Sequence, residues 1–183
     1  MRAKGIAYDT GLIRTAGSSV PHFDPEVTRR ELEIIRDDLH CTAVQIVGSI
    51  PERLEIAATQ AAALGLEVWF CPCPLERTHE EILALFADCA PRAERVRASG
   101  AEVVFVTGLE LSIMNRGFFD ADGVSERVEL LLADPDGRPE RLAEVNRRLD
   151  AVLRRAVATV RHRFRGRVTY AAIPFERVDW DLF

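Results

Sequence analysis

The sequence predicts an α/β fold built on a parallel sheet, and three observations carry that expectation. Short apolar runs alternate with longer amphipathic runs from one end of the chain to the other. Runs such as VVFV at 103–106 are apolar at every position, as strands buried on both faces are. The joins carry helix-start and helix-stop residues, and strand–helix–strand alternation calls for crossover helices over a parallel sheet. No linker or low-complexity segment interrupts the pattern, so residues 1–183 are expected to form a single domain.

KGIAYD, residues 4 to 9, reads as the first strand and leads into a long polar loop through Gly17, Ser18 and Ser19. Asp24-Pro25-Glu26 opens the first helix as an N-cap with proline in the first turn, and its Val27, Leu32, Ile35 and Leu39 are expected to face a core. CTAVQIVG, residues 41 to 48, is strand two. The second helix starts at Pro51, gathers Leu54, Ala57, Ala58, Ala61 and Leu64 on one face, and stops at Gly65. LEVWFCP, residues 66 to 72, is strand three. Thr78 and Glu81 form a capping box for a third helix with Ile82, Leu85, Phe86, Cys89 and Val96 facing inward, ended by Gly100. AEVVFVTG is strand four. A long excursion over 113–140 follows, with a short helix in SERVELLLA. A long helix then presents Leu142, Val145, Leu149, Val152, Ala156 and Val160, and RVTYAAI, residues 167 to 173, is strand five.

Composition narrows the function classes. The 24 basic and 29 acidic residues leave a net charge of −5, and the basic clusters RRELEIIR and NRRLDAVLRRAV interleave acids and apolar residues at helical spacing. They read as solvated helix faces, so no nucleic-acid partner is expected. No apolar run approaches the ~20 residues that span a bilayer, and the MRAKG start lacks a signal-peptide apolar region. A cytoplasmic protein with no membrane partner follows, its Cys41, Cys71, Cys73 and Cys89 kept as free thiols. Neither G-x-G-x-x-G nor G-x-x-x-x-G-K-[ST] occurs, so no nucleotide cofactor is expected, and no cofactor of another kind is indicated.

Ligands of parallel α/β folds meet the carboxyl ends of the strands. Those ends carry Tyr8-Asp9-Thr10, then Gln45 and Ser49, then the segment from Trp69 to Cys73, then Glu110 and Ser112, and finally Tyr170 with Glu176 beyond it. Carboxylates beside aromatic rings suit a polyol or sugar, whose C–H faces stack and whose hydroxyls need acceptors. Each acid also has a purely structural reading: Glu110 as a cap or ion-pair partner, Asp9 as a brace for its loop, Glu176 as a solvated residue. Cys71, Cys73 and His79 suggest a zinc clip, but the spacing is not that of a regular zinc motif, and no metal site is expected.

GIAYDTG, DLHCTAVQIVG, GLEVWFCPCP, VVFVTGLELS and the tail PFERVDWDLF together resemble a family of glycoside-hydrolase-like TIM barrels from bacteria, largely actinobacteria, often labelled abortive infection proteins. The resemblance runs through nearly the whole chain in order. It implies a (β/α)8 barrel akin to the retaining glycosidases, with Glu110 as general acid/base at the end of strand four and Tyr8, Asp9, Trp69 and Glu176 lining a sugar cleft. Gln45, Ser112 and Tyr170 complete the expected substrate-binding set, and a saccharide is the expected ligand. Two departures accompany it. Leu109 stands where many such enzymes have Asn before the acid. The chain also stops at Asp181-Leu182-Phe183, where the family begins strand six.

The resemblance therefore implies a barrel truncated after strand five, whose open edges and unmet apolar surface would favour a homo-oligomer. The leading expectation is a glycosidase-like enzyme or its N-terminal portion. Two alternatives stand beside it. One is a catalytically silent carbohydrate-binding or interaction protein linked to phage defence. The other is a metal-dependent hydrolase using Asp9, Cys71, Cys73 and His79.

Overall fold

A computed structural model describes residues 4–14 and 17–183, so part of the MRAKG start and of the loop after the first strand lies outside the described residues. The chain runs β1 (Gly5–Asp9), β2 (Ile13–Arg14), β3 (Gly17–Ser18), α1 (Pro25–Asp37), β4 (Ala43–Gly48), α2 (Pro51–Ala63), β5 (Glu67–Pro72) and α3 (His79–Ala98). It continues through β6 (Val103–Leu109), α4 (Leu111–Met114), α5 (Val124–Leu132), α6 (Arg138–Arg161), β7 (Arg167–Ala171) and a 3-10 turn at Trp180–Leu182. All five expected strands are present. The two-residue strands β2 and β3 form a small antiparallel hairpin inside the polar loop, which the sequence reading leaves as a loop.

Five strands form one sheet in the order β1-β4-β5-β6-β7, with every adjacent pair parallel. The order is that of the sequence, and the helices all feed one core. Leu54, Ala58, Phe86, Ala93, Leu149 and Ala156 of the helices meet Val44, Ile46, Val68, Phe70, Phe105 and Val168 of the strands there. Phe105 sits at its centre, stacked on Phe70 at 5.9 Å, edge-on to Phe86 at 6.1 Å and tilted against Phe164 at 5.7 Å. Alternation along each strand sends the intervening residues to the opposite face. Among the described residues, that face carries a small apolar cluster of Val47, Cys71, Cys73 and Val106 at its carboxyl end. Lower down, Gly5, Ala7, Ala43, Gln45 and Trp69 line an open depression of about 330 Å³.

The fold is thus α/β with an open five-stranded parallel sheet covered on one face. The eight-stranded closed barrel implied by the resemblance is not formed by the described residues.

Local rules explain the helix positions. Asp24 accepts from the amides of Glu26 and Val27 to start α1, and Thr78 with Glu81 makes the capping box of α3. The expected inward face of α1 needs correction: Leu32 and Ile35 are buried, whereas Val27 is 38% and Leu39 41% exposed. The physical reason is position. The helix flanks α2 at one end of the sheet, and Leu39 falls beyond its last turn.

The excursion before α6 is fastened by a wholly buried arginine. Arg127 donates to the carbonyls of Ile113 (2.7 Å) and Asp122 (2.9 Å) and to the Glu76 carboxylate (2.8 Å). Nothing in SERVELLLA marks that arginine as interior, because it occupies what reads as a solvated helix position.

Candidate functional site

The carboxyl ends of β1, β4 and β5 are knitted together by short polar contacts. Asp9 accepts from the Gly11 amide at 2.7 Å, so the chain turns sharply as it leaves β1. Thr10 is buried and donates to the Val47 carbonyl. A Cβ on Gly48 would lie 2.2 Å from the Thr10 hydroxyl, so only glycine permits β1 and β4 to approach there. Ser49 donates to the Cys73 carbonyl at 2.8 Å and accepts from the Ile13 amide at 3.1 Å. Arg53 of α2 donates to the Val20 carbonyl at 2.7 Å and lies over the Phe23 ring, which pins the loop.

The Cys73 thiol reports which charges gather at this rim. Burial pushes it up to about 12, the Arg14 charge opposes that rise, and the Asp9 and Glu110 charges reinforce it. Two carboxylates and one guanidinium therefore act on a single buried sulfur. A thiol raised in this way stays protonated and is not an activated nucleophile.

The end of β6 is built differently. The register with β7 slips between Val106 and Leu109, and Gly108 takes φ 94°. A Cβ at that glycine would lie 2.6 Å from Leu111. Glu110 itself is left-handed, with φ 45° and ψ 46°, and leads directly into the one-turn helix α4. A non-glycine residue there carries strain of about 1 kcal/mol or more. The bulge and the left-handed residue re-aim the chain at the point where the acid leaves the strand. Among the described residues, the half-buried Glu110 carboxylate takes part in no hydrogen bond and no ion pair.

Glu176 is the opposite case. Its Oε1 accepts from the Ser112 amide (3.1 Å) and hydroxyl (2.5 Å), and its Oε2 accepts from the Tyr170 hydroxyl (2.8 Å) and the Ile173 amide (3.1 Å). It is 92% buried by the complement of its 8% exposure. Burial raises its carboxyl above the usual range against the pull of those four donors. Burial, joined by the Glu176 charge, drives Tyr170 upward as well.

The expected site residues fall into three groups, with Tyr8 apart from all of them. Asp9 and Glu110 stand at the same rim, each within electrostatic reach of Cys73, at the ends of β1 and β6 with β4 and β5 between them. Gln45 and Trp69 pair across β4 and β5 on the open face, where Trp69 also faces Val104. From Val104 the chain runs on to Glu110 over roughly 20 Å at ~3.3 Å per residue, so the indole is not at the acid. Its Nε1 donates to Glu67 at 3.2 Å. Ser112, Tyr170 and Glu176 form the buried network, facing inward from the rim. Tyr8 belongs with the helices: it packs on the main core and donates to Glu31 of α1 at 2.7 Å. Burial, with that contact adding, pushes its hydroxyl up to about 12.

Two features escaped the strand-end reading. Arg14 gives no signal beyond a lone cation in a polar loop. The strained backbone of Glu110 is foreshadowed only by Gly108 just before it. The zinc clip is not assembled: among the described residues no three His, Cys, Asp or Glu side chains are placed to share an ion, and His79 packs on Phe118 with centroids 4.5 Å apart. Among those residues, too, no helix is long and apolar enough to cross a membrane. Compared with known proteins, the chain matches no family model and no curated sequence.

Proposed function

We propose that this chain is a glycosidase-like protein, or a portion of one, that handles a saccharide at the carboxyl rim of its sheet with Glu110 as general acid/base. One observation carries the reading. Glu110 sits at a strand end on strained backbone, half-buried, with its carboxylate committed to nothing else in the described structure. Strain held at a chemically unspent acid is where function is most often found. Glu176 is spent on its four donors; Asp9, one oxygen of which accepts from the Gly11 amide, is the other carboxylate that acts on Cys73 at the rim. Two carboxyl groups flanking a glycosidic bond are what such hydrolysis requires.

The test is hydrolysis of a panel of aryl-glycosides. Glu110→Gln is expected to lower kcat by about 10²- to 10⁴-fold, the usual span of a general acid/base, while sugar binding persists. Turnover at the parental rate in that variant defeats the assignment.

A second reading draws on Trp69. An exposed indole beside Gln45, well removed from Glu110, offers a stacking platform that needs no chemistry. On that reading the chain is a silent carbohydrate-binding or interaction protein, in keeping with the phage-defence label of the family it resembles. Calorimetric titration with a glycan panel decides it: saturable binding that Trp69→Ala abolishes supports it, and a flat response removes it.

A further inference from the structure

Three successive amides leave the end of β6, and all three are taken by one later segment. Glu110 N–H donates to the Ala171 carbonyl at 2.8 Å, Leu111 N–H to the Tyr170 hydroxyl at 2.7 Å, and Ser112 N–H to Glu176 Oε1 at 3.1 Å. The Tyr170 hydroxyl in turn donates a hydrogen bond to Glu176 Oε2 at 2.8 Å, so it bridges the Leu111 amide to the carboxylate. The Ile173 amide closes the ring on the same oxygen at 3.1 Å. On the other side, the Glu110 carbonyl accepts from the amides of Ile113 and Met114 at 3.1 Å each. The peptide group that follows the left-handed residue is therefore fixed from two directions, and the one before it is held through its N–H.

We infer that Tyr170 and Glu176 are positioning residues for Glu110: they hold its left-handed turn in place by occupying, with a phenol from β7 and a carboxylate from the segment after it, the amides that a one-turn helix leaves free. Four neighbouring N–H groups at a helix start lack intrahelical partners, and α4 is too short to be stable unaided. A neighbouring element that supplies acceptors at the right spacing turns a frayed end into a fixed one. The carboxylate is suited to this because it accepts four bonds at once, two on each oxygen, and so ties Ser112, Tyr170 and Ile173 to one point. A glutamine could not replace it, since its NH2 would face a hydroxyl already donating inward and an amide N–H. The meaning of this hold for catalysis rests on the proposed role of Glu110; the hold itself does not.

The experiment reads the two separately. Amide exchange is measured on the full chain, without any sugar, for wild type, Tyr170→Phe and Glu176→Ala. In Tyr170→Phe the Leu111 amide is expected to exchange about tenfold faster, the equivalent of one lost hydrogen bond. In Glu176→Ala the Ser112 and Ile173 amides are expected to do the same, and added formate, a free carboxylate for the vacated position, is expected to slow them again where chloride does not. Unchanged protection at 111 and 112, or acceleration spread evenly over the sheet, overturns the inference. Should Glu176→Ala fail to fold, Tyr170→Phe carries the decision, because it removes a single oxygen. The catalytic arm follows turnover of an aryl-glycoside: a positioning role lowers kcat in Tyr170→Phe and leaves KM in place. Wild-type protein with no turnover counts against the glycosidase reading alone, and the amide pattern still decides the positioning.

Discussion

The two faces of one sheet, built from the same strands, have opposite fates. One face is sealed by four helices, and its strand residues Val44, Phe70 and Phe105 have no solvent exposure. The other keeps Trp69 37% exposed above small residues at Gly5, Ala7 and Ala43, and buries little beyond the thiols and valines at its carboxyl end. The two faces share the same strand pairings, so the difference lies in what stands opposite the side chains. Burial requires a partner layer, and only the helix side has one. The covered side holds the fold, and the rim of the bare side holds Glu110, whose carboxylate makes no hydrogen bond or ion pair among the described residues.

The strongest way to break this comparison is to cut matching holes in the two faces. Phe105→Ala removes a ring stacked among Phe70, Phe86 and Phe164 and is expected to cost about 3–5 kcal/mol in urea denaturation. Trp69→Ala, a larger deletion in the neighbouring strand, is expected to cost under about 1 kcal/mol because its indole lies open. Equal losses would mean that a further layer covers the bare face in solution.

Next in size is the pin of the excursion. Arg127→Met leaves Glu76 and three backbone carbonyls without their buried donor, and a loss of about 3 kcal/mol is expected from the same denaturation measurement. A loss below about 1 kcal/mol would show that the excursion is held by its apolar contacts instead.

Smaller and opposite in sign is Glu110→Gly. Glycine adopts φ 45° freely, so this variant is expected to gain up to about 1 kcal/mol in stability while losing all turnover. A destabilised Glu110→Gly would show that the acid supports the fold rather than straining it.

The smallest effect concerns acid sensitivity on the covered side. Arg97, and then the Arg165 amide, hold the Glu94 carboxyl down at about 2. A carboxyl lowered in the folded state adds stability that is complete above its ordinary pKa of 4.5 and fades as pH falls toward 2. Glu94→Gln is therefore expected to flatten the acid limb of the urea midpoint between those values. The change should be no more than about 1 kcal/mol, since the pair meets solvent. An unaltered acid limb would assign it to other carboxylates.

Much of this was legible in the sequence, for reasons that also mark where legibility ends. Strand and helix order could be read because period and punctuation are local: Pro51 and Gly65 bound a helix whatever lies around it. The separation of Tyr8 from Asp9 was legible too, since adjacent strand residues face opposite sides. Grouping both into one cleft set that rule aside. Trp69 sits three positions before the end of β5, and only the register places it beside Val104 rather than near Glu110. The Glu176 network could not be read, because it joins Ser112 of α4 to Tyr170 of β7 and the residues after it, across a gap in sequence that no pattern spans. The same holds for Arg127, whose burial depends on where the Ile113 and Asp122 carbonyls lie in space. Contacts made by folding back carry no periodicity to find.

Strand order also has a bearing on how the protein is made. Each strand of the sheet lies beside the one synthesised just before it, so a chain emerging from the ribosome can lay down its units one after another. No early strand has to wait for a distant partner. The turn at Glu110 is the exception, since its Tyr170 and Glu176 contacts arrive only with β7 and the residues that follow it. The residue proposed to do the chemistry is thus set in place only after β1 to β6 have been laid down and β7 has joined them.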